Sequence, residues 1–100
     1  MEPAQFNRVA KALADPQRMA LLERIARGGS EEVACRDLVG ESGLAPATVS
    51  HHLKELTTAG LVSARKQGQC MYLTASGDVL AGYVRELNRR VAMPKGTKAY

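Results

Sequence analysis

A glycine and a proline, Gly43 and Pro46, stand between two groups of apolar residues, and this pattern constrains the chain more than anything else in it. Leu38 and Val39 precede the pair, Leu44 lies inside it, and Val49, Leu53 and Leu56 follow. The later group repeats at four and then three residues, which is helical spacing. Pro46 suits the first position of such a helix, because the donor it lacks would be unpaired there anyway. The segment from Asp37 to Leu56 therefore predicts a short helix, a tight turn at Gly43, and a second helix crossing the first. Thr48, Ser50, His51 and Lys54 remain on the outer face of that second helix. A helix-turn-helix of this form suits one polar helix face to the DNA major groove. The rest of the chain reads as its frame.

Phe6, Val9, Ala10 and Leu13 make an apolar stripe at helical intervals before a break at Asp15-Pro16. Asp15 can cap a second helix, expected to bury Met19, Leu22, Ile25 and Ala26 and to stop at Gly28-Gly29. Val33 is expected in a strand of one or two residues, and Gly60 ends the second helix of the helix-turn-helix. Leu61 to Lys66 and Cys70 to Thr74 read as strands joined by a three-residue turn, Gln67-Gly68-Gln69. A hairpin directly after a recognition helix is a wing, and Arg65, Lys66 and Gln69 fall near its tip. Ser76 is the expected cap of a last helix, with Asp78 in its first turn. That helix carries Val79, Leu80, Tyr83, Val84, Leu87 and Val91.

The expected fold is mainly α with a small β-hairpin: a winged helix-turn-helix of about five helices and a two- to three-stranded wing. One domain covers residues 1–92, and 93–100, with Pro94, Gly96 and two lysines, reads as a flexible basic tail. A 100-residue domain has a modest core, so its two end helices carry more apolar surface than one subunit covers. Phe6, Val9 and Leu13 of the first helix, with Leu80, Tyr83, Val84 and Leu87 of the last, are therefore expected to form a two-fold dimer interface.

Residues 1–50 hold six Lys/Arg against seven Asp/Glu, and residues 51–100 hold eight against three. The halves balance at −1 and +5, so the basic excess travels with the recognition helix, wing and tail. That is the footprint of a polyanion binder. Four aromatic residues are few for stacking single-stranded bases, which leaves double-stranded DNA as the expected partner. Ala47 or the Thr48 methyl can meet a thymine methyl, and Thr48, Ser50 and His51 can exchange hydrogen bonds with base edges or phosphates. Lys54, Arg65 and Lys66 suit phosphates. Adjacent histidines cannot share a helix face, so one of His51 and His52 is expected to face DNA. No run is long and apolar enough to span a membrane and no signal peptide opens the chain, so a cytoplasmic location with reduced cysteines is expected. No phosphate loop, nucleophile elbow or carboxylate pair suggests an enzyme.

The segments AKALADPQRMALLERI, CRDL, GLAPATVSHHLKELTTAGLV and RKQGQCMYL, in this order, resemble the ArsR/SmtB family of small dimeric bacterial repressors. The likeness runs over about residues 5–90 and is most specific in TVSHHLKELTTAGLV. It implies a homodimeric repressor on an inverted-repeat operator. Two departures stand out: Ala45 where the family often places a Ser or Thr cap, and Val39 where a small Ala is usual. The familiar thiolate site would need two cysteines around one residue near Cys35, and the familiar zinc site would need histidines in the last helix. Both lack ligands here, so no metal and no cofactor are expected, and the residues name no inducer. A thiol- or metal-responsive repressor using Cys35 or Cys70 is the alternative, and a winged-helix protein-interaction module a more distant one. Cys35 at a helix start is placed for a dipole-lowered thiol pKa. Cys70 in the second wing strand is expected far from it, near the wing tip.

Overall fold

A computed structural model describes residues 1–92; the expected basic tail, 93–100, lies outside the described residues. Helix α1 spans Pro3–Leu13 and α2 spans Pro16–Arg27. Between them Asp15 Oδ1 accepts the Arg18 backbone N–H at 3.0 Å, the expected cap. The inward face of α2 is Arg18, Leu21, Leu22 and Ile25, whereas Met19 and Ala26 are exposed. The expected stripe was misphased because a charged residue takes an inward position. Arg18 lays its aliphatic stem in the core and donates from Nη1 to the Lys11 carbonyl at 3.3 Å.

Strand β1, Val33–Ala34, leads directly into α3, Cys35–Ser42. Gly43 ends α3 with φ +71, a left-handed conformation that a residue with a Cβ enters only with strain. The Ser42 hydroxyl locks the turn, accepting the Leu44 N–H at 3.1 Å and donating to the Val39 carbonyl at 3.2 Å. Helix α4, Pro46–Thr58, then crosses α3 with Val49, Leu53 and Leu56 buried. Leu38, Val49, Leu56, Ile25, Leu61 and Leu73 are almost wholly enclosed, so the core lies where α2, the two crossed helices and the sheet meet.

Strands β2, Val62–Gln67, and β3, Cys70–Ala75, form the wing. The sheet order is β1-β3-β2, antiparallel throughout, with Ala34 opposite Tyr72 and Arg65 opposite Tyr72 on the other side. Gln67 pairs with Cys70, so the loop is Gly68-Gln69, two residues and not the expected three. Gly68 takes φ +61 at the first loop position, where tight hairpins favour glycine, and this lets pairing continue one residue further.

Helix α5, Gly77–Val91, packs along α1. Its cap residue Ser76 makes no side-chain cap hydrogen bond, contrary to expectation; Asp78 does occupy the first turn. Phe6 stacks on Tyr83 at 4.9 Å between centroids, and the Arg90 guanidinium lies 3.8 Å over the other aromatic partner, the Phe6 ring. This corrects the expected dimer surface. Val9 is fully enclosed by its own subunit, Phe6 is buried beneath Tyr83 and Arg90, and Leu13 and Tyr83 are half-buried against the same core. What α5 leaves in solvent is Leu80, Val84, Leu87 and Val91, at spacings of four, three and four residues.

Candidate nucleic-acid interface

Helix α4 begins with Ala45 at its cap, whose carbonyl accepts the N–H groups of Thr48 at 3.0 Å and Val49 at 3.1 Å. No side chain caps this end. Burial of Val49, His52, Leu53 and Leu56 fixes the rotation of the helix. Ala47, Ser50, His51 and Lys54 are consequently exposed on the opposite side, and Thr48 is half-buried. The two histidines divide as the helix period requires. His51 is exposed, while His52 is buried with Nε2 3.2 Å from Gln17 Oε1 of α2. With its proton on Nε2, His52 donates to that amide oxygen and ties the recognition helix to the start of α2.

The wing residues do not sit alike. Gln69 is exposed in the loop and Lys66 is exposed near it. Arg65 is further back, opposite Tyr72, with its guanidinium 4.8 Å from that ring. It donates to both carboxylate oxygens of Glu32, at 2.9 and 2.8 Å, and to Gln67 Oε1 at 2.8 Å. The pairing holds the Glu32 carboxyl below its ordinary pKa and raises that of Arg65. An Arg65 expected near the tip as a ready phosphate contact is instead already committed to a carboxylate. Among the described residues, Lys54 and Lys66 enter no ion pair.

The cysteines also depart from expectation. Cys35 opens α3, but burial pushes its thiol pKa up, against the direction expected from the helix dipole. Cys70 pairs with Gln67 beside the loop, near the wing tip as expected, but it lines the same cleft between α3, α4 and the wing as Cys35. Cys70 Sγ accepts from Arg36 Nη1 at 3.3 Å. Among the described residues no group of three His, Cys, Asp or Glu side chains gathers to hold a metal ion. Arg36, Glu32 and Gln17, which hydrogen-bond Cys70, Arg65 and His52, are residues that the sequence did not mark. Register was the missing signal: once Ala34 is paired with Tyr72, Arg36 is carried towards Cys70.

A polar recognition face rotated outward by a crossed partner helix and flanked by a three-stranded wing defines a winged helix-turn-helix DNA-binding domain. A helix-turn-helix domain family matches residues 13–64. The transcriptional repressor SdpR of Bacillus subtilis is 31% identical over 75 residues, covering 75% of this chain and 80% of SdpR. The homodimeric winged helix-turn-helix DNA-binding domain Mb0332 from Mycobacterium bovis, a possible ArsR-family regulator, superimposes with a TM-score of 0.69 at 28% identity. That match covers 97% of this chain and 88% of the solved 1–100 fragment of Mb0332. The chain belongs to the ArsR-type winged helix-turn-helix transcriptional regulators. That family is not an enzyme class. The chain spans only 54% of another relative, the nodulation protein NolR of Rhizobium meliloti, which is 33% identical over 69 residues covering 69% of this chain. No helix among the described residues is long and apolar enough to cross a membrane.

Proposed function

We propose that this chain is a repressor that pairs through α5 and binds an inverted repeat in double-stranded DNA, in the cytoplasm, blocking polymerase. The observation that carries the reading is the outward face of α4, with Ala47, Ser50, His51 and Lys54 exposed together. Ser50 and His51 meet base edges, the half-buried Thr48 offers its methyl or hydroxyl at the helix start, and Lys54 and Lys66 meet phosphates. Gln69 and, once it leaves Glu32, Arg65 extend the contact to the neighbouring backbone. Pairing is supported by the exposed stripe Leu80, Val84, Leu87 and Val91, whose alternating four- and three-residue spacing is that of a helix–helix seam. The homodimeric state of Mb0332 agrees with it. Two recognition helices related by a two-fold axis then meet half-sites about one turn of DNA apart.

The test is selection of bound fragments from the parent genome by the full chain. The expected outcome is recovery of a shared motif with imperfect two-fold symmetry. Recovery of fragments with no common sequence, or with a single asymmetric half-site, overturns the reading.

A further inference from the structure

The space between the recognition helix and the wing is a half-open cleft of about 820 Å3, within the size range of small-molecule sites. Val39 and Leu53 form its inner wall, and Ala64 and Met71 line it from the inner face of the wing. Two cations, Arg36 and Lys54, stand on it, and no acidic residue among the described residues lines it. Arg36 is unlike Arg24, Arg65, Arg89 and Arg90, each of which is paired with a carboxylate. Its hydrogen bond is to Cys70 Sγ, a weak acceptor that orients the guanidinium while leaving its charge uncompensated among the described residues. The arrangement combines apolar walls with a held, unneutralised cation and a second cation beside it.

We infer that this cleft binds a small apolar carboxylate, its body against Val39, Leu53, Ala64 and Met71 and its anionic head on Arg36 and Lys54. A phosphate diester of DNA uses the same cations but leaves the apolar walls wet; an apolar carboxylate satisfies both. Ser50, Lys54 and Gln69 border the cleft as well as belonging to the proposed DNA surface. An occupant therefore takes Lys54 from phosphate and stands between helix and wing, so binding it and binding DNA exclude one another. The binding itself is independent of the proposed function; only its consequence for DNA rests on that reading.

The test titrates the 15N-labelled full chain with 2-naphthoate, followed by NMR, with neutral 2-naphthamide as control. Saturable shifts are expected at the amides of Cys35, Arg36, Val39, Leu53 and Met71, with the amide compound binding about tenfold more weakly because it lacks the charge-assisted contact. Arg36→Gln should abolish that preference for the carboxylate. Ala64→Phe, at an exposed strand position, should fill the cleft and abolish binding of both compounds while the remaining spectrum is retained. Absence of saturable shifts, shifts confined to the apolar face of α5, or equal affinity for the two compounds overturns the site, whether or not DNA is bound. In a second arm 2-naphthoate is added to the complex with a labelled duplex recovered by genomic selection. Release from the original chain at about tenfold lower 2-naphthoate concentration than from Arg36→Gln supports exclusion. Equal release from both, or release from neither, overturns it without touching the function proposed above.

Discussion

In the proposed function, single charges decide how tightly this surface holds DNA, and two of them act in opposite directions. Lys54 is exposed on the recognition face and enters no ion pair among the described residues. Lys54→Ala should weaken binding to every duplex and reduce the slope of log affinity against log salt by about 0.9, the value for one phosphate contact. Glu32 holds Arg65 through two short hydrogen bonds. Glu32→Gln should release that cation, tighten binding and steepen the same slope by a similar amount; anisotropy titrations at several salt concentrations measure both. Glu86 is a different case. Arg89 and, next, Arg90 hold its carboxyl at about 2 against an ordinary 4.5. A depressed carboxyl stabilises the fold above its ordinary range and loses that contribution as pH falls towards about 2. Thermal unfolding of the original chain should therefore decline more steeply below pH 4.5 than that of Glu86→Gln; parallel curves would contradict the clamp.

Elements are fixed by a few local signals, and one of them is improvable. Ala45 opens the recognition helix with no side-chain cap. Ala45→Ser offers an oxygen to the Thr48 N–H and should stabilise the domain by about 1 kcal/mol, raising the melting midpoint by several degrees. A midpoint unchanged or lowered in calorimetry would show that the Ala45 carbonyl contacts already suffice. The helix-turn-helix was legible because its signals are local: Gly43 requires the left-handed turn, Pro46 the helix start, and the apolar period the rotation of α4. The phase of α2 was not, since Arg18 occupies an inward place that polarity alone assigns to solvent. The same failure mis-set the dimer surface. An apolar stripe says that Phe6 and Val9 are covered, not by which subunit, and tertiary contact with Tyr83 and Arg90 answers for Phe6. Arg65–Glu32 and Arg36–Cys70 were equally unreadable, because both depend on β1 adding to the wing as a third strand.

At the scale of the whole molecule, the end helices and the reading head divide the work. Helices α1 and α5 lock together through Phe6, Tyr83 and Arg90, and α5 presents Leu80 and Val84 outward from that support. The opposite charge balance of the halves, −1 and +5, puts the cationic excess in the half of the sequence that carries most of α4, the wing, α5 and the last eight residues. In the proposed function, a two-fold pairing through α5 duplicates the reading head and sets its spacing, and without the partner each head has one half-site and correspondingly weak hold. Hydroxyl-radical footprinting on a duplex recovered from the genome tests this most directly. Two protected patches on one face of the duplex, centred about 34–36 Å apart, are expected, and both should vanish at the same protein concentration in the double variant Leu80→Glu, Val84→Glu. One protected patch, or two that persist unchanged in that variant, would contradict recognition by a pair of α4 helices held together through α5.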